Sequence, residues 1–212
     1  MRKKFEVTSM FLFALIAVLV FSLALGRIQD ATITDQVASG MVWVFIFFTG
    51  MFGFAPIFLA ESESGTLRGL SVAPIPAWSV YIGKVIYGFV LMGIVEIFLL
   101  PIISVLFNIS LFQYPIWAIG IFLIGTLDLA AVGSMASALT MPSESKATVF
   151  PLVYFPTATS GLILLVEMTR ILVMGFATVT IGMEFLILQM LVAHLLGMLT
   201  LSAVVFSFAL TQ

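Results

Sequence analysis

Long apolar runs dominate the chain, and none of them alternates in hydrophobicity as a membrane barrel strand would. A helix needs about 20 mostly apolar residues to cross a bilayer core. At that length scale the pattern predicts six spans: Ser9 to Gly26, Ala38 to Ala60, Val80 to Phe107, Ile116 to Thr140, Ala147 to Val166 and Phe185 to Leu210. Polar residues collect between these runs, above all in ESESGTLRGLSVAPIPAWSVYIGK, from Glu61 to Lys84. The expected fold is all-α: one polytopic membrane domain over residues 1–212, with a loop at 61–79 between the second and third spans.

Composition agrees with the pattern. Of 212 residues, 62% are hydrophobic and 8% charged, and mean hydropathy is +1.28, more apolar than a soluble core of this size requires. A net charge of −2 argues against a polyanionic partner such as nucleic acid. Without cysteine the chain has no disulfide, no thiolate metal site and no thiol nucleophile.

Charge placement sets the orientation. With the N-terminus in the cytoplasm, Arg2, Lys3, Lys4, Arg68, Lys84 and Lys146 lie inside and only Arg27 and Arg170 outside, as the positive-inside rule favours. The 61–79 loop and the connection Met141 to Lys146 then face the cytoplasm. The basic start, apolar stretch and small residues before Gly26 also fit a cleaved signal peptide, which would leave the later orientation unchanged.

Prolines inside the runs are expected to disturb them: Pro56 in the second span, Pro101 in the third, Pro151 and Pro156 in the fifth. The fourth span repeats small residues at four-residue spacing, Ala130, Ser134, Ala138 and Gly133, Ser137, which predicts close packing within the chain. Glu167 to Glu184, charged only near its ends, suits a segment dipping into the outer leaflet.

Three ionisable residues fall at membrane depth. Glu96 in the third span and Asp128 in the fourth are costly there unless neutral, paired or hydrated, so each is either a hydrogen-bonded structural group or a functional one. His194, the single histidine, reads as packing, because one imidazole rarely makes a metal or haem site. Nothing in the spacing of the three joins them. No phosphate-binding, zinc-protease or nucleophile-elbow motif is present, so catalytic, cofactor and metal sites are all expected to be absent, and ATP, if used, binds a partner.

In the loop, Ser64 to Leu70 can form a short surface helix. Ser64 or Thr66 caps it, Glu61 and Glu63 suit its positive end, Leu67 and Leu70 share a face, and Gly69, Pro74 and Pro76 limit it. Trp78 and Tyr81 anchor the chain at the interface, and Lys84 is placed to snorkel to the headgroups. Such a helix can be a lever for a soluble partner, or the loop can simply be solvated.

The pattern Glu61-x-Glu63-x-Gly65-Thr66-Leu67-Arg68-Gly69-Leu70, then Ala73-Pro74 and Gly83-Lys84, resembles the cytoplasmic loop of ABC-2-type transporter permeases. With EIFLLPIISVLFN from Glu96, GTLDLAAVGSMASAL from Gly125 and FPLVYFP from Phe150, it resembles the CcmB family, the membrane subunit of the cytochrome c maturation haem exporter, from about Met10 to Leu172. The resemblance implies six spans in the cytoplasmic membrane and a homodimer. It also implies a CcmA-like ATPase, CcmC-like and CcmD-like membrane proteins and a CcmE-like haem chaperone, with haem as cargo of the complex. It casts Glu61, Glu63, Gly65, Thr66, Leu67, Arg68, Gly69, Leu70, Pro74 and Lys84 as the ATPase-coupling loop, and 167–184 as the outer-face element. Two features depart from the family: only MRKKFEVT precedes the first span, and Asp128 stands where an apolar or small residue is expected. The alternatives are an ABC-2-type permease for a lipid or drug, a proton-coupled secondary transporter using Glu96 and Asp128, and a scaffold without transport.

Overall fold

The computed structural model describes residues 2–26, 31–58, 76–140, 146–176 and 182–209. Among them are six helices: α1 (Arg2–Leu25), α2 (Ala31–Phe54), α3 (Ala77–Leu106), α4 (Pro115–Leu139), α5 (Lys146–Met174) and α6 (Met183–Ala209). Five are long and apolar enough to cross a membrane, and α1 carries a shorter apolar stretch, Thr8–Ala24. The chain is therefore an all-helical, multi-pass membrane protein. In α1, Met10, Ala14 and Val18 recur every four residues and are fully buried, where the helix packs on α2 and α3.

Helix ends follow local chemistry. The run expected to continue to Ala60 stops at Phe54, because Pro56 cannot donate and disfavours helical backbone at Ala55; the chain turns through 55–58. Pro56 thus ends a helix instead of kinking one. At its start α2 reaches back to Ala31, seven residues beyond the apolar run, through a polar turn in which Ser39 donates to the Asp35 carbonyl (2.7 Å). Helix α3 ends at Leu106, and the chain leaves it at Asn108, whose φ of 53° is tolerated by a short polar side chain; Ile109 N–H bonds back to Ser104 O (3.1 Å), and Ser104 Oγ to Ile109 O (2.7 Å). Pro115 opens α4 at a position where its missing N–H costs nothing.

Pro101, Pro151 and Pro156 all lie inside helices that continue through them. In particular α5 runs past Val166 to Met174, so Glu167 to Met174 is its last two turns and not a separate outer-face element. There Glu167 and Arg170, one turn apart, form a two-point ion pair, with Arg170 Nε at 2.9 Å from Glu167 Oε2. Gly175, at φ 91°, then ends the helix.

The bundle is organised around α4, which packs on α2, α3, α5 and α6. Every residue from Asp128 to Ala138 is buried, which is possible on all faces of one helix only because most of them are small. Aromatic side chains from neighbours fill the gaps. A Cβ at Gly125 would overlap Trp43, and one at Gly133 would overlap Phe54. Trp43 also stacks on Phe122 (5.4 Å between centroids) and donates through Nε1 to Thr169 (2.7 Å), joining α2, α4 and α5. The expectation of close packing within the chain from the small-residue repeat is met at this helix.

Gly133→Leu should therefore destabilise the bundle by about 1–3 kcal/mol through overpacking. Gly83→Ala, where an added Cβ meets nothing within 4 Å, should be neutral or slightly stabilising. Thermal unfolding of both variants in the same detergent checks the contrast.

Candidate functional site

Of the proposed coupling-loop residues, Glu61, Glu63, Gly65, Thr66, Leu67, Arg68, Gly69, Leu70 and Pro74 lie outside the described residues. What is described is the root from which the loop leaves α2. The turn at 55–58 follows Pro56, and its carbonyls, no longer used by a helix, need donors from elsewhere. Ser137 of α4 supplies one and accepts another bond: its hydroxyl donates to Ala55 O (3.1 Å) and accepts from Phe58 N–H (3.3 Å). Lys84 of α3 donates to Ile57 O (2.9 Å), with its ammonium 5.1 Å from the centre of the Phe58 ring. Two neighbouring helices thus grip one four-residue turn. On the far side of the loop, Ser79 closes the first turn of α3 onto Pro76 O (2.7 Å).

Asp128 and His194, which sequence spacing does not connect, are brought together by the packing of α4 against α6. His194 Nδ1 is 2.9 Å from Asp128 Oδ1, and its Nε2 is 2.8 Å from the Ser160 hydroxyl on α5. A carboxylate only accepts, so Nδ1 carries a proton toward Asp128, while Nε2 faces the Ser160 hydroxyl. Gly161 permits the approach, since a Cβ there would overlap Asp128 Oδ2 and sit 3.0 Å from His194 Cε1. Asp128 is fully buried and Ser160 is exposed on the outside of the bundle. The cluster consequently holds a carboxylate deep in the protein by fixing one imidazole at both nitrogens. His194 ties three helices through polar bonds, where the sequence suggested apolar packing.

Glu96 faces elsewhere. Its Oε2 lies 2.6 Å from Thr126 Oγ1, which lies 2.6 Å from Phe122 O as well. The Thr hydroxyl has one proton and the Phe122 carbonyl none, so both short contacts are satisfied when the Glu96 carboxyl is neutral and donates to Thr126. Oε1 is buried without a partner. Thr126 and Asp128 are two residues apart on α4 and project to different sides, toward α3 and α6 respectively. Glu96 and Asp128 are thus held in separate hydrogen-bonded clusters, which removes the geometric basis for a relay between them.

Because fully buried Asp128 and half-buried His194 bond each other, Asp128→Leu or His194→Leu alone should cost about 1–3 kcal/mol by leaving the partner unpaired. The double variant should recover most of that loss. Unfolding midpoints for the full double-mutant cycle measure the coupling.

The family model for CcmB protein matches residues 1–212. Heme exporter protein B of Rhodobacter capsulatus is 27% identical over 158 residues, covering 74% of this chain and 71% of that protein. Heme exporter protein B of Pseudomonas aeruginosa is 22% identical over 163 residues, 77% of this chain and 72% of that protein. That of Paracoccus denitrificans is 25% identical over 136 residues, 64% and 62% respectively.

Proposed function

This chain belongs to the CcmB family, and we propose that it is the membrane permease subunit of a haem exporter serving cytochrome c maturation, driven by a separate ATPase subunit. The carrying observation is the whole-chain family match to a multi-pass helical bundle. Under this reading the chain is non-catalytic and sits in the cytoplasmic membrane with its N-terminus inside. It pairs as a homodimer with a CcmA-like ATPase, beside CcmC-like and CcmD-like proteins that pass haem to a CcmE-like chaperone. ATP then binds the partner, and haem is cargo.

The root of the loop supports a mechanism for coupling. A push on the loop reaches the turn at 55–58, which Lys84 ties to α3 and Ser137 to α4. Small displacements there are passed to two packed helices together, the kind of element through which nucleotide-site closure becomes helix movement. The loop residues Gly65 and Leu67 would make the contact itself.

Affinity purification of the chain from its native membrane tests the assignment: a CcmA-like ATPase and a CcmC-like protein should co-purify. Recovery of a different ATPase would point to another ABC-2-type export system, and recovery of none would overturn the reading. Lys84→Met, which keeps the apolar stem and removes the donor, should lower transport per ATP hydrolysed several-fold while the complex still assembles. Haem delivery and phosphate release measured on the same preparation check it, and unchanged coupling would remove Lys84 from the path.

A further inference from the structure

On the outside of the bundle, α3 and α4 diverge around a slot of about 550 Å³ that runs along the two helices and not across them. It is lined by successive turns of one face of each, from Phe89 through Gly93 to Pro101 on α3 and from Ala118 through Phe122 to Thr126 on α4. At 1.5 Å per residue these stretches are about 18 and about 12 Å long, against about 15 Å for half of a hydrocarbon core about 30 Å thick. The slot begins near the middle of both helices and stops at Phe112, in the 107–114 connection. It is therefore one leaflet deep, on the side of the membrane where that connection lies.

The walls restrict what can enter. Ile94, Ile97, Ile119 and Leu123 along the mouth are at least half exposed on the bundle surface, so the slot opens sideways, into the hydrocarbon. Glu96 and Thr126 border it, but they bond each other at 2.6 Å and Glu96 is 5% exposed, which leaves almost no polar surface inside. A ligand with a polar centre would give up hydrogen bonds there and gain none. A hydrocarbon chain gives up nothing, and the bilayer always offers one. The volume spread over that length is a mean cross-section of roughly 30–45 Å², whereas a helix about 10 Å across with its side chains needs about 80 Å². A neighbouring helix would cover the mouth without filling the slot. Gly93 makes the room, since it contributes no side chain and a Cβ there would meet nothing within 4 Å.

We propose that the slot between α3 and α4 is a binding site for an acyl chain of a membrane phospholipid, lying parallel to the helices in the leaflet nearer the 107–114 connection. The chain completes a contact between α3 and α4 that their own side chains leave open beside the Glu96–Thr126 bond. Asn108, Ser110 and Gln113, exposed on the connection, are hydrogen-bonding groups at the end where the ester groups of the lipid belong. None of residues 107–114 is charged, so the site selects the chain and not the charge of the headgroup. The site does not depend on what the complex carries.

The test uses the full chain purified in a mild detergent, with phospholipid retained per copy counted by native mass spectrometry. The parent should keep one phospholipid that Gly93→Phe, which fills the slot, loses. Gly197→Phe, on the exposed face of α6 where an added Cβ also meets nothing within 4 Å, should keep it. Gly93→Leu repeats the comparison with a smaller filler. Thermal unfolding after exhaustive delipidation is a second readout. The parent should lose stability that added phosphatidylcholine or phosphatidylglycerol restores equally, and the Gly93 variants should respond to neither. A parent that retains no lipid, or equal retention in the parent and both Gly93 variants, overturns the proposal. Restoration by only one of the two lipids overturns the assignment to the chain. If Gly93→Phe strips a membrane partner from the native complex while lipid retention stays unchanged, the slot seats a helix and the proposal falls.

Discussion

The structure depends on how closely other helices can approach α4. In a bilayer there is no water to satisfy a stray polar group and no hydrophobic gain from bringing two apolar helices together, so contact rests on shape and on internal hydrogen bonds. Small residues along α4 supply the shape. Gly125 and Gly133 receive Trp43 and Phe54, and Thr126, Asp128 and Ser137 then reach partners on α3, α6 and the 55–58 turn. Larger residues on α4 would separate these partners beyond bonding distance.

The polar groups are arranged in levels around that axis. Ser137 is near the loop-bearing end, and Asp128 and Thr126 are about 14 to 16 Å further along α4 at 1.5 Å per residue. Lys84 and Glu96 are about 18 Å apart on α3 by the same rise. The turn that roots the loop and the Glu96–Thr126 contact thus belong to the same helix pair, one at each level. The His194 cluster, on the other side of α4, ties α4 to α5 and α6 and leaves α3 outside it. Its fixed geometry makes α4, α5 and α6 a braced surface for α3 to move against in the proposed mechanism.

Much of this architecture can be read from the chain alone, for a physical reason. A membrane-spanning helix must be apolar for its whole length, so the runs from Val80 and Ile116 coincide with α3 and α4 to within a few residues at each end. The apolar pattern misplaces helix ends where a polar turn prolongs a helix or a proline stops it. Composition does not register Ala31 to Val37 as helix, because those turns are not apolar. It also overlooks the stop at Phe54, because Leu59 and Ala60 continue the run beyond Pro56. Glu167 and Arg170 looked like a segment boundary, yet at three-residue spacing they neutralise each other on a continuing helix. Lys84 is legible as an interface residue, but its bond to Ile57 O and the polar roles of Ser137 and Ser160 are not. A serine amid alanines carries no sign of which carbonyl or imidazole it will face.

Hydrophobic length and local turn chemistry are written along one chain, so the multi-pass helical architecture and the motifs of the CcmB family are legible without a structure. The partners of the buried polar residues depend instead on how the helices pack in three dimensions. Asp128 and His194 are 66 positions apart and become partners at 2.9 Å, whereas Glu96 pairs with Thr126 and never meets Asp128. Those choices rest on which face each helix turns to its neighbour and how near it comes. That is set by the volumes of Gly125, Gly133 and Gly161 acting together, and no single stretch of sequence displays it.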